Sequence, residues 1–170
     1  MKIMIIGYSG SGKSTLARKL GSIYKIPVLY LDKVNFIKDW RLRDRNECLI
    51  QVREFQKNDS WIIEGNYSEF HQERRLDEAD TIIFLNSSRI SSFYYAYKRY
   101  LQYRGKVRED LSEGCYEKFD IEFIKWILFD GRTYEKKIKY KELSEIYKNK
   151  FVTLRNHKEI SQYLNTCLNL

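Results

Sequence analysis

Gly7-Tyr8-Ser9-Gly10-Ser11-Gly12-Lys13-Ser14, followed by Thr15, is the stretch that decides how this chain folds. It matches the phosphate-binding loop pattern G-x-x-x-x-G-K-[ST]. Immediately upstream, Lys2 to Ile6 is a short apolar run that stops at Gly7. Downstream, Leu16, Leu20 and Ile23 recur at helical spacing over Lys13 to Tyr24. The order is strand, loop, helix, which aims the loop amides and the positive end of the helix dipole at one anion. Glycines let the backbone close around phosphate oxygens, and Lys13 supplies a mobile charge for the β and γ phosphates. Gly7, Ser9, Gly10, Ser11, Gly12, Lys13, Ser14 and Thr15 are the expected nucleotide-binding residues, with Ser14 also a magnesium ligand.

Four more apolar runs lie further along: Val28–Leu31, Trp61–Ile63, Thr81–Leu85 and Phe151–Leu154. Near-continuous apolar runs of this length are what strands buried on both faces require. Helical periodicity fills the intervals at Asp44 to Lys57, Arg89 to Tyr103, Asp120 to Phe129, Tyr134 to Tyr147 and His157 to Leu168. Strands alternating with helices predict an α/β fold, a five-stranded parallel sheet flanked by helices, because parallel strands need crossovers. A chain of 170 residues is one domain of ordinary size, so residues 1–170 are read as a single nucleotide-binding domain.

Composition narrows the function classes. With 43% hydrophobic and 32% charged residues the chain carries enough apolar surface for a core, and no run is long enough to span a bilayer. The apolar start ends too soon for a signal peptide, which points to the cytosol. Cys48, Cys115 and Cys167 form no Cys-x-x-Cys pair, and His71 and His157 lie far apart, so neither disulfides nor a zinc site is indicated. The net charge of +8 favours anionic partners without choosing among nucleotides, nucleic acid and acidic membranes.

Magnesium also needs a carboxylate, commonly from the end of a buried strand. Asp32 and Glu64 both qualify, against the plainer readings of a helix cap for Asp32 and a solvated loop acid for Glu64. Asp32 has a second possible role, orienting or deprotonating an acceptor hydroxyl. The acceptor is then expected between Asp32 and Gly65, Asn66 and Tyr67, with Arg75 either holding an anionic acceptor or making a surface ion pair. The adenine is expected near Arg155 and Asn156, after the last strand. The basic cluster Lys98, Arg99, Arg104, Lys106 and Arg108 reads as part of a lid around residues 98–131 that closes over the transferring phosphate, or as a solvated helix end. Phe93, Tyr94, Tyr97 and Leu101 recur at helical spacing and read as a core-facing stripe rather than a base-stacking surface.

Gly7 to Thr15, Val28 to Asp32, Trp61-Ile62-Ile63-Glu64-Gly65-Asn66-Tyr67, Arg75 to Leu85, Tyr103-Arg104-Gly105-Lys106 through Glu113-Gly114-Cys115, and Phe123 to Ile127 together resemble the bacterial topology modulation proteins, a family similar to adenylate kinases and other small P-loop kinases. The resemblance implies a P-loop kinase-like fold with a helical lid, ATP and magnesium as cofactors, Lys13 and Ser14 in the loop, and Arg99, Arg104 and Arg108 as lid arginines. Glu64 stands where the family pattern has aspartate, and Tyr116 where it has proline. The expected activity is transfer of the ATP γ-phosphate to a nucleotide or other small molecule, with Lys13, Asp32, Arg99, Arg104 and Arg108 as the catalytic set. The alternative is a nucleic-acid-associated ATPase or nucleotide-gated module acting on DNA topology. Against it, no separate DNA-binding motif is evident.

Overall fold

Ile3, Met4, Ile5 and Ile6 are each no more than 2% exposed, which only a strand covered on both faces explains. They belong to β1 (Lys2–Gly7) in the computed structural model, which describes residues 1–168. β1 lies at the centre of a parallel five-stranded sheet. Around it stand β2 (Val28–Tyr30), β5 (Trp61–Glu64), β6 (Thr81–Leu85) and β7 (Phe151–Leu154), in the order β2-β5-β1-β6-β7. A separate antiparallel pair, β3 (Phe36–Ile37) and β4 (Arg41–Leu42), forms a small hairpin after β2.

Alternation along the strands sorts the core into two layers. Met4, Ile6, Trp61, Ile63, Ile82 and Phe84 share one layer with residues of α2 (Leu31–Asn35), α3 (Arg45–Gln56), α4 (Gln72–Glu78) and α7 (Tyr134–Ile146). Ile3, Ile5, Ile62, Ile83 and Leu85 share the other with α1 (Lys13–Tyr24) and α8 (His157–Leu168). Helices therefore cover both faces, as the crossovers demand. The parallel register sets Ile5 beside Glu64 and Gly7 beside Leu85, so the ends of β5 and β6 flank the loop that follows β1.

The five strands and six long helices stand where the periodicity predicts them, with differences at the edges. β2 stops at Tyr30, because Leu31 turns in as the first residue of α2 and is fully buried. α4 and the β3–β4 hairpin are additions to the expected elements, being too short to display a period.

The stripe on α5 (Arg89–Tyr103) is a correction: Tyr94, Tyr97 and Leu101 are 54%, 44% and 54% exposed. The buried face of α5 carries Ser92 and Ala96 instead. A bulky face could not sit there, since a Cβ on Gly10 would come within 2.3 Å of the Ser92 carbonyl oxygen. Phe93, Tyr97 and Tyr100 gather around the ring of Phe119.

The segment expected to form a lid is helical only in part. Residues 104–120 have no regular helix, and α6 (Ile121–Leu128), capped by the Asp120 side chain, follows. The irregular part is sewn to the α2–β3 region. Ser112 Oγ is bonded to the carbonyls of Lys33 and Phe36, Cys115 Sγ donates to Ile37 O, and Trp40 Nε1 donates to Tyr116 O at 2.9 Å. No helix among the described residues is long and apolar enough to cross a membrane.

Candidate active site

α1 begins without a side-chain cap. Its N-cap is Gly12, in a left-handed conformation (φ 93°), and a Cβ there would meet nothing within 4 Å. The amides of Lys13, Ser14 and Thr15, in the first turn of an uncapped helix, have no intrahelical acceptor, the arrangement that receives a phosphate. Ser11 is buried and its hydroxyl has no partner, a second orphaned group in the same loop. Ser9 Oγ accepts a hydrogen bond from Trp126 Nε1 at 3.0 Å, which ties α6 to the loop.

Lys13 and Ser14 both turn toward Glu64. Ser14 Oγ donates to Glu64 Oε2 at 3.1 Å, and Lys13 Nζ lies 3.8 Å from Glu64 Oε1 while donating to Tyr8 O at 3.2 Å. Glu64 is 3% exposed, so it is not the solvated loop acid that the sequence left open. Burial pushes its carboxyl up to about 7; the Lys13 charge opposes that rise and the Asp32 charge reinforces it. A serine hydroxyl beside a buried carboxylate is a pair of hard oxygen donors. Mg²⁺ prefers such donors, completing its shell with phosphate oxygens and water, and the open amides and orphaned hydroxyl of the loop suit a polyphosphate. The residues present fit ATP and Mg²⁺.

Asp32 is the second residue of α2 and caps no helix. Its Oδ1 accepts the Tyr67 hydroxyl at 2.7 Å, and Tyr67 stacks on Phe70 with ring centroids 5.0 Å apart. Burial and then the Asp32 charge hold the Tyr67 hydroxyl well above its usual range, so it stays a donor.

Two neighbouring residues serve the scaffold. Asn66 spans Gly7, accepting from its amide at 3.0 Å and donating to its carbonyl at 2.7 Å, and so fixes the start of the phosphate loop. Arg75 is fully buried and makes no surface ion pair. Its guanidinium donates to the carbonyls of Phe70 (2.8 Å), Gly65 (3.4 Å) and Tyr67, and burial lowers its pKa to about 10. The Gly65–Phe70 loop thus hangs on Arg75, while the Gly65 amide is bonded to Ile5 O at 3.0 Å.

The three arginines expected in a lid are not equivalent. Arg99 Nε and Arg108 Nε stand 2.9 and 2.8 Å from the same Glu117 oxygen, and Arg108 also pairs with Asp110 at 3.3 Å. Both Nε atoms are out of line for a hydrogen bond in spite of these distances. Arg104, just beyond α5, is exposed and makes no ion pair among the described residues. Arg155 is exposed too, and lines a cleft on the α7 side of the sheet. Asn156 bonds to Glu159 at 2.8 Å.

Arg132 carries more of this region than its sequence context signals. It is buried, its guanidinium lies 3.9 Å from the Tyr8 ring centroid, and it donates to Ile127 O, Ser87 O and Ser92 Oγ. The Gly131-Arg132 turn has no motif around it, so only the fold reveals the contact.

No protein-family model matches the chain, and no curated protein matches it in sequence. Solved structures match it in fold. The shikimate kinase of Acinetobacter baumannii, in complex with shikimate, is 13% identical with a TM-score of 0.52, covering 99% of this chain and 90% of that one. A gluconokinase from Sinorhizobium meliloti 1021 is 13% identical with a TM-score of 0.54, over 99% and 89%. The shikimate kinase of Bacteroides thetaiotaomicron is 12% identical with a TM-score of 0.53, over 99% and 97%. At these identities the likeness is one of fold: this chain has the fold of the P-loop kinases.

Proposed function

We propose that this protein is an ATP-dependent phosphotransferase acting on a small hydroxylated acceptor. One observation carries the reading: the uncapped phosphate loop, Lys13, Ser14 and the buried Glu64 converge at one point, with the Asp32–Tyr67 pair on the neighbouring strand end. Ser14 and Glu64 are the residues that would hold Mg²⁺, which when bound offsets charge on the β and γ phosphates. Lys13, drawn toward Tyr8 O and Glu64, swings onto the phosphates. Asp32, its carboxylate oriented by Tyr67, positions the acceptor hydroxyl and takes its proton. That division of labour favours Glu64 over Asp32 for the metal, since Glu64 is the carboxylate bonded to Ser14.

The lid arginines supply positive charge as phosphoryl transfer proceeds, Arg104 from an unpaired start and Arg99 and Arg108 after leaving Glu117. The resemblance to topology modulation proteins accords with this reading through its kinase-like parts. Two of the structures sharing the fold are named for shikimate and one for gluconate phosphorylation, which makes hydroxy acids and sugar acids the first acceptors to try.

The test is incubation with ATP, Mg²⁺ and a panel of hydroxy acids, sugar acids, nucleosides and nucleotides, with direct detection of phosphorylated product. Transfer to at least one acceptor in the absence of DNA is expected. ATP turnover that requires DNA and yields only free phosphate would overturn the reading in favour of a nucleic-acid-associated ATPase.

A further inference from the structure

A second basic site lies beyond the phosphate loop. At the carboxyl ends of β6 and β7, a cleft of about 890 Å³ is lined by Arg89, Arg132, Lys137, Lys141 and Arg155, and no aspartate or glutamate lines it. Ligands of open α/β sheets collect at this end of the strands. The cleft is walled by α7 and the start of α5, whereas the Ser14–Glu64 pair lies across β1 on the other side of Tyr8.

Four of the five cations are without an acid. Among the described residues Arg89, Arg132, Lys137 and Arg155 form no ion pair, and Lys141 has only the solvent-exposed Glu145 at 3.8 Å. Arg132 is the informative one. It is 6% exposed and spends its donors on neutral oxygens, so its charge is held inside the protein with no acid opposite. Crowding five cations and leaving one desolvated costs folding free energy unless an anion shares the space. Lys137 and Lys141, one helical turn apart on α7, face into the same cleft, and hydroxyls of Ser87, Ser88 and Ser144 line it as well.

We propose that this cleft binds a small polyanion, a molecule carrying two or more phosphate groups, at a site separate from the phosphate loop, which moves Arg155 from the adenine of ATP to this second ligand. Its size admits a compact ligand walled on several sides, which suits a small molecule better than a duplex laid on a convex surface. The site also communicates with the loop. Tyr8 turns its ring to Arg132 and its backbone carbonyl to Lys13, so an anion drawing on Arg132 acts on the residue that steadies Lys13.

Inorganic tripolyphosphate, titrated calorimetrically without magnesium, tests the proposal. The intact protein is expected to bind two molecules per chain, one lost in Lys13→Ala and the other retained. In Lys137→Gln/Lys141→Gln the retained site should weaken about tenfold or more, roughly 1.4 kcal/mol. A control of equal charge, Lys139→Gln/Lys148→Gln, removes exposed lysines outside the cleft and should change affinity less than twofold. A single site abolished by Lys13→Ala, or equal weakening in the control, overturns the proposal and leaves the phosphate-loop reading standing. Displacement of tripolyphosphate from the cleft by a short DNA duplex that binds more tightly also overturns it, and assigns the cleft to nucleic acid. If Lys13→Ala retains both sites, the loop assignment fails and the cleft assignment is judged on the lysine pairs alone.

Discussion

Ser14 Oγ donates to Glu64 Oε2 across 3.1 Å, joining the first turn of α1 to the last residue of β5. The carboxylate it holds is buried, and its proton is retained up to about 7. An acid whose pKa rises on folding above its ordinary value of 4.5 stabilises the fold at low pH, and that contribution is lost as pH climbs from about 4.5 through about 7. Chemical denaturation without magnesium at pH 5 and pH 8 should show the wild type losing at least about 1.4 kcal/mol more than Glu64→Gln, the free energy of a tenfold change in proton affinity. Parallel losses in the two proteins would refute the buried-acid account.

The same carboxylate predicts a magnesium effect. Glu64→Gln should raise the magnesium requirement for turnover, whereas Asp32→Asn should depress kcat at every magnesium concentration without moving the midpoint. A magnesium titration of both variants separates the roles, and a midpoint shift in Asp32→Asn alone would exchange them.

Lys13→Ala should fold and lose ATP turnover. Its ammonium meets Tyr8 O and Glu64, and Lys13 belongs to neither apolar layer of the core. Unaltered turnover in a folded Lys13→Ala protein would remove the loop from the chemistry.

Asn66→Ala strips Gly7 of the partner for both its amide and its carbonyl. Leaving such groups unmet costs about 1–3 kcal/mol each when water cannot reach them. The expected outcome is a less stable protein with weaker ATP binding, measured by thermal denaturation and calorimetry; a neutral substitution would show that the loop holds itself.

Arg104→Ala should lower kcat by the equivalent of about 2–4 kcal/mol, in the range of one lost transition-state donor, with little effect on ATP binding. Arg99→Ala and Arg108→Ala should lower kcat too, and each should also destabilise the fold, because Glu117 is left with one fewer partner. Full turnover in all three would defeat the lid. If those substitutions instead weakened duplex binding and reduced its salt dependence, the surface would face DNA.

The loop and the sheet were legible because both write themselves as local patterns: glycines at fixed offsets, and short apolar runs beside an otherwise charged chain. Glu64 could be nominated from its place after an apolar run, but its burial could not be foreseen, since that depends on β1 and β2 closing on either side. Arg75 reads in sequence as an acceptor-holding cation or a surface ion-pair partner, and for the same reason the sequence does not show that carbonyls of a loop five to ten residues away take up its guanidinium. The α5 stripe failed because helical spacing says that one face is apolar without saying which way that face turns. Arg132 meets Tyr8, 124 positions earlier, through contacts that no sequence window contains.

Ser112, Cys115 and Tyr116, three residues within five of chain, are each bonded to the α2–β3 region, the Ser112 hydroxyl lying between the carbonyls of Lys33 and Phe36. Bonds packed so closely along a short segment part together, so the strap behaves as a latch with two positions instead of a flap that frays from one end. Asp32 adjoins Lys33, whose carbonyl the strap holds, so the latch is fastened one residue from the group that would meet an acceptor. In the phosphotransferase reading, a product that leaves only when the latch rises would make that rise set the turnover rate. Release would then be the slow step, with a rate that climbs steeply with temperature because every fastening yields at once.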